Sequence, residues 1–265
     1  MRIYFVLLAA VIRSQLQYRV SFLLDTAGTA LSNVLEFAAF LLAFGSFGSI
    51  GGWNFWQVAF LWGLSESAFA VMDLIFSGYD PGQFSEYIKT GTFDQFLLRP
   101  VNVVVQVFAS SFALRRLGRL AQGMLIFGLA VSHVGIDWTL DKLLYLPLVF
   151  AGAVAFYGAL FTIGAALCFW TTESIEIINV FTYGGTTMAS YPMHIYQDFM
   201  RRIFTFVVPT ALIIYYPALF FFGIPDPTGL PKLVQFVSPL VGVGMLVLAL
   251  AVWHAGLRRY QSTGS

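Results

Sequence analysis

The sequence predicts an all-α polytopic membrane protein, and three observations carry that prediction. Of the 265 residues, 58% are hydrophobic and only 10% charged, whereas a soluble domain carries about 25% charged and about 45–50% apolar residues. The mean hydropathy is +0.80. Six apolar stretches approach the ~20 helical residues that a hydrocarbon core of about 30 Å requires: Leu23–Phe44, Trp53–Phe76, Leu117–Val134, Leu143–Trp170, Ile175–Tyr191 and Val234–His254. The 14 Lys+Arg nearly balance the 13 Asp+Glu, which argues against a nucleic-acid partner, since that needs a basic face. A single cysteine, Cys168, excludes an internal disulfide and a cysteine-based zinc or iron–sulfur centre. Three scattered histidines (His133, His194 and His254) leave little for another metal.

The elements follow in chain order within one domain, 1–265. Residues 1–19 begin with an apolar run, Ile3–Ile12, that is too short to span, and RSQLQYR follows it in place of a small-residue cleavage site. A signal peptide is therefore rejected. Arg2 and Arg13 lie three helical turns apart and share one face, the pattern of an elbow helix lying in the interface. Spans one and two occupy 20–76.

The loop 78–102, between spans two and three, is the most organised polar segment. Asp80 followed by Pro81 has the chemistry of a helix start. The helix would run to about Thr90, where Gly91 suits a left-handed stop. Thr92 and Gln95 form a T-x-x-Q capping box for a second short helix, which Pro100 and its restriction of Arg99 would end. Phe93, Phe96 and Leu97 make its apolar face, while Asp94 and Gln95 point elsewhere. Two short capped helices with protruding aromatics read as a docking surface for another protein, or more plainly as a loop packed on the membrane face.

Spans three to five occupy 117–191. Ala151, Ala155 and Ala159, at four-residue spacing on the fourth, predict a close helix approach. Ile203–Phe222 is also apolar enough to cross. Either it is a re-entrant hairpin, taken here as 192–223 because Pro209 and Pro217 divide it, or Ile175–Tyr191 is not a span. Span six is 234–254. With the N-terminus inside, ten of the fourteen cations (Arg2, Arg13, Arg19, Lys89, Arg99, Arg115, Arg116, Arg119, Arg258 and Arg259) fall on the cytoplasmic side. Lys142, Arg201, Arg202 and Lys232 fall outside. That split puts both termini inside.

Several chemistries are missing. No GxxxxGK[ST], GxSxG or HExxH occurs, and GLSES at Gly63 lacks the second glycine. His194 and Asp198 are one residue short of the HxxxxD spacing of membrane acyltransferases and read instead as a hydrogen-bonded pair on one helix face.

The polar residues inside the spans are patterned. Asp25, Thr29, Asn33 and Glu36 form one stripe on the first span, and Gly63, Glu66, Ala70 and Asp73 another on the second. At 1.5 Å per residue, Glu66 lies roughly 20 Å below the outer end of its helix and Glu36 about as far above the inner end of its own. A carboxylate at such depth costs about 2.5–3.5 kcal/mol on insertion scales and must face protein or a watery path. Asn33, Glu36, Glu66 and Asp73 are thus either a path for a cationic or polar substrate or protonated, hydrogen-bonded glue between helices. Trp53, Trp56 and Trp62 read mainly as interfacial anchors.

GTFDQFLLRPVN (Gly91–Asn102), the stretch Tyr191–Ala218 and the ending LRRYQSTGS (Leu257–Ser265) together resemble the permease subunits of type-2 ABC transporters, nearest to the viologen- or drug-exporter-like branch. The resemblance implies six spans with the elbow helix, a coupling helix within Pro81–Leu98 and outer re-entrant helices within His194–Phe222. Glu86, Tyr87, Phe93, Asp94 and Leu97 would meet a separate ATPase subunit, with a smaller contact at the Thr171–Glu176 turn around Ser174. It further implies two permeases, identical or paired as a heterodimer, on an ATPase dimer that binds ATP and Mg, so that this chain carries no cofactor. The setting would be the lipid of a bacterial cytoplasmic membrane and the cargo an amphipathic, often cationic molecule. Arg201–Arg202 depart from the pattern by lying outside. From the residues alone, a membrane scaffold, an intramembrane enzyme and an ion-coupled secondary transporter working through Glu36 and Glu66 remain alternatives.

Overall fold

A computed structural model of the chain describes residues 17, 19–111, 116–173 and 176–262. Among the described residues all the regular structure is helical, with no strand and only an isolated bridge between Ile50 and Trp53. The expected elbow helix, Arg115 and Ser174 lie outside the described residues, as do the side chains of Asp25 and Asn33.

α1 (Arg19–Phe47) is the least embedded helix. Leu23, Leu24, Leu31, Val34, Leu35 and Leu42 are all exposed. It leans on the rest through Phe37, Phe40 and Phe44, whose rings meet Trp62 and Phe55. α2 (Phe55–Phe76) is almost wholly buried. Its start is fixed by a reciprocal cap that the sequence reading did not anticipate. The Gln57 N–H donates to Asn54 Oδ1 at 3.0 Å, and the Asn54 N–H donates to Gln57 Oε1 at 2.9 Å.

Three short helices follow at the far end of α2: α3 (Pro81–Lys89), α4 (Thr92–Leu98) and α5 (Val103–Ser110). Asp80 caps α3 through the Gln83 N–H, with Pro81 in the first turn, as expected. Gly91 takes the left-handed conformation at φ 67° that stops α3. The Thr92–Gln95 capping box does not form. Gly91 occupies the cap position without a side-chain bond, and the Thr92 hydroxyl meets that of Thr90 instead.

α6 (Arg116–His133) returns alongside α2, and α7 (Leu140–Thr171) is the mast of the fold. α13 (Ser238–Arg259) packs along α7, while α2 and α3 pack on other faces of the mast. The α7–α13 crossing is backbone against backbone: a Cβ on Gly242 would collide with the Gly152 carbonyl. Of the expected alanine stripe, Ala159 is fully buried and Ala155 partly so. Ala151 is exposed, and the glycine beside it makes the close approach.

Between α7 and α13 the chain is broken repeatedly. The helix expected over Ile175–Tyr191 is present from Glu176 to Ala189, where α8 (Glu176–Asn179), a π-turn at Val180–Gly184 and α9 (Gly185–Ala189) follow one another without a gap. α10 (Asp198–Arg202) continues through a π-turn to Val207, then α11 (Thr210–Ile213) and α12 (Tyr215–Phe222) follow. The two arms Asp198–Val207 and Thr210–Phe222 meet at 67°, with Pro209 at the bend. Pro217 lies in the first turn of α12, and its missing N–H leaves the Ile213 carbonyl without an i+4 donor where α11 ends and α12 begins. His194 and Asp198 are not paired. His194 Nδ1 meets Tyr215 Oη at 3.1 Å and Nε2 meets the Gly51 carbonyl at 2.7 Å, whereas Asp198 binds Arg201.

Among the described residues, four runs are long and apolar enough to cross a membrane: Thr26–Ser46, Phe55–Lys89, Leu140–Thr171 and Ser238–Arg259. The bent pair makes five if counted as one span. α6, expected as a span over Leu117–Val134, is not among them, because Arg116, Arg119 and Gln122 fall in its first two turns.

Candidate functional site

Two ion pairs bolt α6 to α2. Arg119 Nε and Nη2 both lie 2.7 Å from Glu66 Oε2, and Glu66 is only 6% exposed. The same guanidinium stacks over the Phe69 ring, 4.7 Å from its centroid. Seven residues further along α2, Asp73 Oδ2 meets Arg116 Nε at 2.9 Å, and Arg116 Nη1 donates to the Asp73 carbonyl. Gly63 and Gly123 allow this closeness. A Cβ on Gly63 would sit 2.6 Å from the Phe127 amide nitrogen, and one on Gly123 would sit 2.9 Å from that of Ser67.

Beside the upper pair opens a cleft of about 230 Å³ between α1, α2, α6 and residues 187–191. Glu36, Glu66 and Arg119 supply its charge, Trp62 and Tyr191 its aromatic walls, and Ser190 a hydroxyl. With Glu66 committed to Arg119, one carboxylate is in excess, that of Glu36, which is exposed. Behind the cleft, Ser65 Oγ lies 3.2 Å from Tyr157 Oη and donates to the Thr186 carbonyl, tying α2 to α7 and α9.

At the end of the bundle where α2 terminates, α3 and α4 form a plate over the ends of α7 and α13. Its underside is aromatic. Phe93 is fully buried, with ring centroids 5.4 Å from Phe84, 5.3 Å from Phe169 and 5.0 Å from Tyr260. Pro81 of α3 rests on Gly164 of α7. Gln106 of α5 donates to the carbonyls of Phe96 and Val101, each at 2.8 Å, holding the far end of α4. The outward surface presents Leu97 and Leu98, 43% and 84% exposed.

Residues 30–264 match a family model described as ABC-2 family transporter protein. The chain belongs to that family. No curated protein and no solved structure matches it significantly. The protein is thus an ABC-2 permease, a membrane-embedded transport component that is not itself catalytic.

In this permease the four residues read as a substrate path are not gathered at one place. Glu36 and Glu66 line the same cleft; Asp73 is bound to Arg116 outside it, and the Asn33 side chain lies outside the described residues. The residues read as docking contacts also divide. Glu86 is exposed and near Lys89 at 3.7 Å, and Lys89 also reaches Glu173 at 3.6 Å. Tyr87 is half-buried and bonds Ser111 Oγ at 3.0 Å. Phe93 does not protrude as expected, because its ring completes the apolar seat on which α4 rests. Asp94 is held by the C-terminal segment: Tyr260 Oη donates to its Oδ1 at 2.9 Å, and Ser262 Oγ to its Oδ2 at 2.5 Å.

Reading the sequence missed the two arginines as partners, since they were counted only as cytoplasmic cations. The available signal was their position at the start of an apolar helix, Arg116 just before and Arg119 just within Leu117–Val134, next to a helix carrying two carboxylates.

Proposed function

We propose that the permease forms the translocation path of an ATP-driven exporter in a bacterial cytoplasmic membrane, with both termini cytoplasmic. Two permeases would stand on a dimer of ATPase subunits seated against the α3–α4 plate, with Leu97, Leu98 and Glu86 as the exposed contacts. ATP binding would close the ATPase dimer and shift the spans towards an outward-open state, because ATP favours the closed form. The segment 192–223 is read as the outer re-entrant hairpin, supported by its bend at Pro209.

The observation that carries the substrate reading is the cleft with one carboxylate in excess between two aromatic walls. Such a site attracts an amphipathic molecule with a positive charge, through Coulomb attraction in a poorly screened setting and through the faces of Trp62 and Tyr191. An amphipathic cation of the viologen type fits this chemistry. Glu36→Gln, which keeps shape and hydrogen bonding but removes the charge, should be made normally and yet lower the resistance of cells to methyl viologen. Resistance equal to that of the unsubstituted protein would overturn the cationic path and favour a neutral cargo.

A further inference from the structure

The C-terminal residues Tyr260–Ser262 emerge directly from α13 and close over α4. α4 has seven residues and no side-chain cap, so it has no stability of its own; what surrounds it fixes its position. Three anchors do so: the buried Phe93 ring, Gln106 at its far end, and Asp94. Asp94 lies in the first turn of α4, where a carboxylate complements the helix dipole. Each of its oxygens receives a separate hydroxyl, from Tyr260 and from Ser262. Hydrogen bonds to an ionised group are roughly twice as strong as neutral ones. The Tyr260 ring adds contact with Phe93 and Phe169, at 5.0 and 5.7 Å. Burial and then the Asp94 carboxylate push the Tyr260 phenol up to about 12, so it stays a donor well above cellular pH.

We infer that this strap joins α4 to α13 as one mechanical unit, and that Asp94 is a positioning residue for coupling. The inference rests on the reading of the α3–α4 plate as the seat of the ATPase subunit. Apolar contact alone lets α4 slide on its aromatic seat. Two charge-assisted bonds to a single carboxylate fix register, so a push on α4 is delivered to the end of α13. From there it travels along the α7 contact to Leu240, about 30 Å away at 1.5 Å per residue.

The test uses the whole transporter purified with its ATPase subunit and a reporter cysteine at Leu240, which is 76% exposed; Cys168 is buried and silent. With the strap intact, ATP plus vanadate should change the labelling rate of Leu240→Cys at least threefold. Tyr260→Phe with Ser262→Ala should retain the ATPase subunit and its ATP hydrolysis while abolishing that change. An Asp94→Cys/Ser262→Cys disulfide should restore it. The inference is overturned if the strapless variant keeps the nucleotide-driven change, if the intact protein shows none, or if loss of the strap releases the ATPase subunit. Should the strapless variant fail to fold, Asp94→Cys/Ser262→Cys decides: the change should be present with the disulfide formed and lost on its reduction, and an equal change in both states overturns the inference. If no ATPase subunit accompanies the unsubstituted permease, the underlying reading fails, and this inference with it.

Discussion

Arg119 and Glu66 are bound through two guanidinium nitrogens converging on one carboxylate oxygen, each at 2.7 Å, across the α2–α6 interface. This relationship turns two costs of membrane burial into a helix contact. A charged side chain left alone in the hydrocarbon costs up to about 2.5–3.5 kcal/mol against insertion. Removing one partner leaves the other buried and uncompensated, which commonly costs about 3–5 kcal/mol, whereas replacing both with apolar groups is often near neutral. Arg119→Leu and Glu66→Leu should therefore each lower the thermal midpoint in detergent markedly, and the double variant should recover most of the loss. Additive losses in the double variant would show that the pair is not coupled.

The burial of Phe93 separates seat from surface on α4. Phe93→Ala should destabilise the permease itself by about 3–5 kcal/mol, as large-to-small changes in a packed core do. Leu98→Asp, at an 84% exposed position, should leave the midpoint nearly unchanged and reduce co-purification of the ATPase subunit at least tenfold. A stable Phe93→Ala protein that merely loses its partner would reverse this division.

The topology is checked at Asp198, whose side chain is 73% exposed. Asp198→Cys should react with an impermeant thiol reagent in intact cells if 192–223 is the outer hairpin. Reaction only after lysis would place Arg201 and Arg202 inside and make the bent pair a span.

The strap has a definite pH dependence. Tyr260 has its pKa raised to about 12 in the folded protein, above the ordinary value near 10. Its contribution is therefore fully present below pH ~10 and is lost as pH rises through about 12. A phenolate difference spectrum between the unsubstituted permease and Tyr260→Phe should show no ionisation of this tyrosine at pH 10. A transition at or below 10 would mean that the phenol is neither buried nor bonded to Asp94 as described.

What the sequence determined by itself is what depends on composition or on neighbours within a few residues. The membrane class follows from 58% hydrophobic residues, since so much apolar surface has no other solvent. The start of α3 at Asp80–Pro81 and its stop at Gly91 were legible because a cap is a local hydrogen bond and a left-handed turn is a property of one residue. The tertiary structure decided whatever depends on what lies opposite. Arg119 meets a carboxylate 53 positions away, so charge counting along the chain placed it with the cytoplasmic cations. Phe93 reads as a protruding face of α4 until Phe84, Phe169 and Tyr260, from three other segments, enclose it. Ile175–Tyr191 has the length of a span, and its helix takes up a π-turn at Val180–Gly184 where it packs against α7. Periodicity shows which residues share a face. Only the arrangement of helices shows what that face meets, because burial and pairing energies arise between segments distant in sequence.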